Sequence, residues 1–533
     1  MKPIFTLLFS CLSLLVCAQR SLTWMPDLGN GFYKNPVLHA DYSDPDVIRV
    51  GEHFYMVASS FDAVPGLPIL ESKDLVNWKL IGHALKRQPP FQHFAKTQHG
   101  NGVWAPALRF HKQEFYLYYP DPDFGIYLTK AKNPAGPWSE PVLVEAGKGL
   151  IDPCPLWDTD GQHYLVHAYA GSRAGIKSII VIKKLNAKGD QVINEGQILY
   201  DGHELDPTIE GPKLYKRNGY YYIFAPAGGV ATGWQLVLRA KNIMGPYERK
   251  VVLSQGQSPI NGPHQGAWVN TASGEDWFLH FQDLGAYGRV VHLQPMKWIN
   301  DWPVMGTDAD GDGIGEPVLT FKKPTTGHSS IVNPAESDEF NGSQIGLQWQ
   351  WQANPLATWS FMNQGKLRLY AIKAPDSAKN LWDVPNLLLQ KFPAPSFTVT
   401  TKMKVALNAK RSNEKAGIVV AGLSYANLGI QNKKDGLYLV WGICKNADHG
   451  SRETVREVTK LNGNEIFLRV EVSAGAKCRF AYSEDGINFT TLEEDVEAQP
   501  GKWIGAKIGL FCTGGQQTND SGYVDVDWFR VEK

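Results

Sequence analysis

The chain has 533 residues, too many for one hydrophobic core, so two or more domains are expected. Lysine plus arginine and aspartate plus glutamate both number 53, a zero balance that excludes the electrostatic footprint of a nucleic-acid or anionic-membrane binder. With 52 glycines and 33 prolines punctuating many short β-prone runs, and few amphipathic helical stretches, the expected class is all-β.

Residues 1–18 combine one lysine, a continuous apolar run and a small-residue ending at Ala18, the pattern of a secretory signal peptide. Export to the periplasm or the medium is therefore expected, with lipid anchoring through Cys17 as the alternative. No later run is apolar and long enough to span a bilayer. Past the leader the cysteines are Cys154, Cys444, Cys478 and Cys512. Their spacings match no zinc motif, and buried thiols with at most one disulfide are expected.

Five aromatic-rich strands follow, anchored at Phe54, Phe115, Tyr164, Tyr220 and Trp277. They recur roughly every 50–60 residues, the period of propeller blades. About ten to thirteen residues before each anchor stand Asp44-Pro45, Trp104-Ala105-Pro106, Asp152-Pro153, Glu210-Gly211-Pro212 and Gly262-Pro263-His264. Blades arranged around one axis would bring these positions together. Three of them offer carboxylates, one an indole and one an imidazole, equipment suited to a sugar-cleaving pocket.

In the first blade, Pro45 should hold Asp44 extended, as a strand heading into the channel requires. Asp41 and Asp46 are rivals by proximity, and the recurrence of Asp-Pro at Asp152 favours Asp44. Trp78 is expected to fill space between blades. Trp104 in the second blade either stacks on the apolar face of a sugar or packs structurally. Asp158 and Asp160 in the third belong to a turn and should be solvated. In the fourth blade Glu210 matches the repeat register better than Asp206. In the fifth, His264 is read as a hydrogen-bond partner of the carboxylates or as a water-mediated ligand of a cation. Arg289 is a candidate for binding sugar hydroxyls, and Phe61 joins Trp104 and Arg289 in the substrate-binding set.

Asp308, Asp310 and Asp312 open like a calcium loop, but Leu319 stands where an EF-hand needs glutamate, so an Asp/Gly turn is the preferred reading. The domain boundary is placed at 330. The expected division is 1–18 leader, 19–330 propeller and 331–533 a second β domain. Regular short strands over the last ~200 residues suit a β-sandwich. Trp349, Trp351 and Trp359 are read as core rather than as a sugar platform.

The Asp44-Pro45-Asp46 run after Asn35-Pro36-Val37, together with LIDP, EGPKLYK, GPHQGAW and GRVVHLQPMKW, resembles glycoside hydrolase family 43. That resemblance implies a five-bladed β-propeller followed by a concanavalin-like β-sandwich that helps to close the pocket of exo-acting members. It also implies inverting hydrolysis of terminal pentoses. Asp44 would be the general base, Glu210 the general acid, and Asp152 the carboxylate that orients the acid and raises its pKa. Trp104, His264 and Arg289 fall at the family's stacking, central and sugar-binding positions. Ile151 stands where xylosidase relatives often carry an aromatic.

Glycosidic cleavage needs one carboxyl protonated and one ionised at the same pH, with carboxyls roughly 6.5–9.5 Å apart for inversion. The expected activity is α-L-arabinofuranosidase on hemicellulose, with β-D-xylosidase as the alternative and a non-catalytic carbohydrate-binding propeller behind both. The expected partner is an arabinose- or xylose-containing glycan. No cofactor is required, and a structural calcium ion in the propeller channel is the one candidate ion.

Overall fold

A computed structural model describes residues 23–533 except 328, 412, 517 and 518. The leader and Cys17 lie outside the described residues. Among the described residues no helix is long and apolar enough to cross a membrane. The four cysteines past the leader are free and buried.

Residues 46–305 form five four-stranded antiparallel meanders, each built from consecutive strands. Their first strands are Asp46–Val50, Ala107–His111, Leu150–Trp157, Lys213–Arg217 and His264–Asn270. First strands of neighbouring blades pack against one another at four of the five interfaces, and at the remaining one His264–Asn270 packs on the second strand of the fourth blade, which places the first strands at the centre of a ring. The aromatic runs read from the sequence are the second strands: His53–Val57, Glu114–Asp121, His163–Tyr169, Tyr220–Ala227 and Asp276–Asp283. Their rings leave each sheet sideways and meet the next one, so every blade interface holds its own apolar cluster. Trp78, fully buried, packs between the first and fifth blades.

Among the described residues no strand is exchanged where the ring closes. The segment before the first blade runs along the fifth blade instead. Leu38 bridges Val291, and Phe32–Lys34 pairs with Thr320–Lys322. Asn35 is the latch: its amide donates to the carbonyls of Leu293 and Val318, and its carbonyl accepts the Leu293 N–H. Asn35→Ala strips the Leu293 N–H and the Val318 carbonyl of the Asn35 side chain, while the Leu293 carbonyl keeps the Tyr33 hydroxyl, at about 1–3 kcal/mol for each group left buried and unsatisfied. The expected result is a clearly lowered urea midpoint, and an unchanged midpoint would refute the latch.

Residues 350–532 form two eight-stranded sheets packed as a sandwich. Glu465–Ser473 illustrates why: Ile466, Leu468, Val470 and Val472 alternate with outward residues, the period of a half-buried strand. Trp349, Trp351 and Trp359 are all buried in this core, so they offer no sugar platform.

One local expectation is corrected, and one, the Asp/Gly turn at 308–312, is met. Asp158 is buried, because Lys216 and Tyr221 of the next blade reach over to bind its carboxylate. The 308–312 segment is a turn whose acidic side chains cap its own backbone N–H groups, Asp308 accepting from Gly311 and Gly313.

Candidate active site

The heads of the first strands converge on a cavity of about 240 Å³. It is lined by Asp44, Phe61, Trp104, Asp152, Glu210, His264 and Arg289, and all seven candidate side chains therefore meet in one place. Ala105, Ile151, Thr208, Gly229, Val230 and Gln265 complete the propeller's share of the wall.

Asp44 is left-handed, with φ +55°, and not extended as its Asp-Pro pairing suggested. Asp152 has φ +58° and sits in an irregularity of its strand pairing between Ile151 and Cys154. Aspartate tolerates this region better than bulkier residues, at a cost of about 1–3 kcal/mol. The kink turns each side chain out of the blade towards the axis. Once there, Asp44 is held by donors: Ser43 Oγ at 2.8 Å, Ser59 Oγ at 2.5 Å and Arg289 Nη1 at 3.4 Å. The same Arg289 nitrogen also donates to Ser43 Oγ at 2.8 Å. A carboxylate surrounded by donors is equipped to act as a base.

The rivals are engaged elsewhere. Asp46 accepts from Arg109 and the Leu108 N–H, and Asp206 is clamped by Arg249, Tyr200 and Trp234. Asp41 accepts the Arg289 N–H and lies outside the cavity wall.

Glu210 follows a backbone anchored by its own N–H to the Pro226 carbonyl at 3.1 Å. The next residue must be glycine: Gly211 has φ +59°, and a Cβ there would lie 2.7 Å from the Gln265 side chain. The Gly211 N–H donates to Asp152 Oδ2 at 2.7 Å, and the Gln265 amide reaches the same oxygen at 3.4 Å. Burial, followed by the charges of Asp152 and Asp44, pushes Glu210 up to about 8 against the opposing pull of Arg289 and Lys177. Burial and the Asp44 charge likewise raise Asp152, to about 7. The two carboxyls titrate as a pair. The Gly211 N–H and the Gln265 amide stabilise the ionised form of Asp152, so the donors around the pair favour the proton on Glu210. One cavity thus holds a carboxyl raised well above its ordinary range and a donor-ringed carboxylate.

His264 is buried, and its Nε2 lies 3.4 Å from Glu210 Oε1. Burial, with the charges of Arg289 and His280 added, holds the imidazole neutral, its pKa lowered to about 3. Neither ring nitrogen makes a hydrogen bond. A neutral, unpartnered imidazole fits a cation or water at that spot, and among the described residues no group of three ligating side chains includes it. Among the described residues, Asp308, Asp310 and Asp312 are the one gathering of three ligating side chains.

The cavity has a roof that sequence reasoning missed. Trp503 comes from a turn of the sandwich, its ring 6.3 Å from that of Trp104 and 5.9 Å from the Arg289 guanidinium carbon. Phe61 flanks Trp104 on another side at 6.5 Å, and the Trp104 indole N–H donates to the Gly100 carbonyl. The repeat register that locates the other residues does not extend to Trp503. Its one sequence signal is a lone tryptophan in the Gly501-to-Gly505 turn, and it remains 48% exposed.

The profile of glycosyl hydrolases family 43 matches residues 33–303, and that of the β-xylosidase C-terminal concanavalin A-like domain matches 337–532. A Xylanibacter ruminicola protein provisionally named a β-xylosidase is 40% identical over 91% of this chain and 87% of its own. A β-xylosidase of Formosa agariphila is 32% identical over 95% and 91% of the two chains. The non-reducing end α-L-arabinofuranosidase BoGH43B of Bacteroides ovatus is 28% identical over 95% and 96%. With a family profile over its propeller and a relative 40% identical across nearly its whole length, this chain belongs to glycosyl hydrolases family 43.

Proposed function

We propose that the protein is an exo-acting β-D-xylosidase that removes single xylosyl residues from non-reducing chain ends with inversion of configuration. The observation that carries this reading is the meeting of Asp44, Asp152 and Glu210 in one roofed cavity, with donors on Asp152 that favour the proton on Glu210. In the proposed reaction Glu210 protonates the glycosidic oxygen as the bond breaks, so the leaving sugar departs as an alcohol. Asp44 takes a proton from the water that attacks the anomeric carbon. Asp152 keeps Glu210 protonated through its charge and orients it through the Gly211 backbone. Arg289 and Trp104 bind the hydroxyls and the apolar face of the sugar ring. No step passes through a cation. Trp503 over the pocket favours a single terminal sugar over a long chain laid through an open groove.

Xylose stands ahead of arabinose as the substrate sugar because the two relatives of higher identity carry β-xylosidase names. This reverses the order expected from the sequence alone. The Bacteroides ovatus relative keeps α-L-arabinofuranosidase as the second reading. Rates on para-nitrophenyl β-D-xylopyranoside and α-L-arabinofuranoside decide between them, with a higher kcat/KM on the xyloside expected. Activity confined to the arabinofuranoside would exchange the two readings, and activity on neither would favour a glycan-binding role. Proton NMR of the fresh product should show α-xylose first, and β-xylose first would refute both inversion and a basic role for Asp44.

A further inference from the structure

The roof and the floor of the cavity come from different domains, and one carboxylate joins them. Asp41 is buried. Its Oδ1 accepts the backbone N–H of Arg289 at 2.9 Å, and its Oδ2 accepts that of Gly505 in the sandwich at 3.1 Å. Arg289 presents its guanidinium to Ser43 and Asp44, and Gly505 ends the turn that carries Trp503. The seam around this carboxylate is as tight as backbones permit. The Ala506 N–H donates to the Ala286 carbonyl at 2.7 Å. A Cβ on Gly505 would lie 2.7 Å from the Gly288 nitrogen, and one on Gly288 would lie 2.6 Å from the Asp41 carboxyl.

The charge pattern repeats the message. Lys391 and Lys507 stand directly opposite each other on adjacent strands of the sandwich, an arrangement that is unfavourable for like charges. The negative charge of Asp41 acts on both, and that of Asp62 acts on Lys507. The sandwich face that docks here therefore relies on carboxylates of the propeller.

We propose that Asp41 is a positioning residue that sets the enzyme's grip on its substrate by locking the Trp503 roof to the backbone of Arg289. The proposal rests on the hydrolase reading of this cavity, and Asp41 itself touches no substrate. Asp41→Asn is the informative variant. It keeps the shape, but an amide cannot accept from both N–H groups, since its NH2 must face one of them. The roof binds ground and transition states alike, so KM should rise about 10-fold while kcat stays within about 2-fold.

In a Trp503→Ala background the same change should add less than about 2-fold, because its effect runs through the roof. An unchanged KM, or a full effect in the Trp503→Ala background, would overturn the proposal. Hydrogen exchange separates failure of the proposal from failure of the substrate assignment. Amides of 501–506 should exchange faster in full-length Asp41→Asn than in wild type whichever glycoside is cleaved. Unchanged exchange in that segment overturns the proposal even if no tested glycoside is turned over.

Discussion

Replacing Glu210 by glutamine is expected to cut kcat on xylobiose by about 10²–10⁴-fold, the range for removal of a general acid. The loss should be much smaller on para-nitrophenyl xyloside, whose leaving group departs without a proton. Equal losses on both substrates would refute Glu210 as the acid. The pH profile gives the same assignment a sign. The reactive form of Glu210 is protonated, so the rate should fall as pH rises through its titration, which burial and the neighbouring carboxylates hold near 8. Asp152→Asn removes a negative neighbour and should move that alkaline limb to lower pH. A limb that stays in place or moves up would show that Asp152 does not tune the acid.

Asp44→Asn is expected to lower kcat by a comparable factor, about 10²–10⁴-fold, whatever the leaving group, because activation of water is needed for every substrate. Ser43 and Ser59 can still donate to the remaining carbonyl oxygen, so the fold around the site should persist and KM should change little. A variant retaining half of the wild-type rate would remove Asp44 from the mechanism. Losses that differ between good and poor leaving groups would interchange the roles of Asp44 and Glu210.

The repeat made the propeller legible. Second strands rich in aromatics recur because every blade must fill the same wedge against its neighbour, and five wedges close a ring. Residues at one register therefore share the axis, which is why Asp44, Trp104, Asp152, Glu210 and His264 could be picked from one chain and found in one cavity. What the register does not cover stayed hidden. Trp503 and the double acceptor Asp41 owe their positions to docking between domains, and no period links residue 41 to residue 505. The left-handed turns at Asp44 and Asp152 contradict the local rule for a residue before proline, and only the surrounding hydrogen bonds explain them. Asp158 looked solvated because its partners, Lys216 and Tyr221, come from another blade. The choice between pentoses was illegible for a plainer reason: xylose and arabinose offer similar hydroxyls, and none of the motifs in the sequence separates them.

The placing of Trp503 has a consequence for how the protein comes into being. A nascent polypeptide finishes Asp44, Asp152, Glu210 and Arg289 before the sandwich is made, and the covering indole of Trp503 is translated after all of them. Until the sandwich docks, the cavity lined by those four residues has no cover over it.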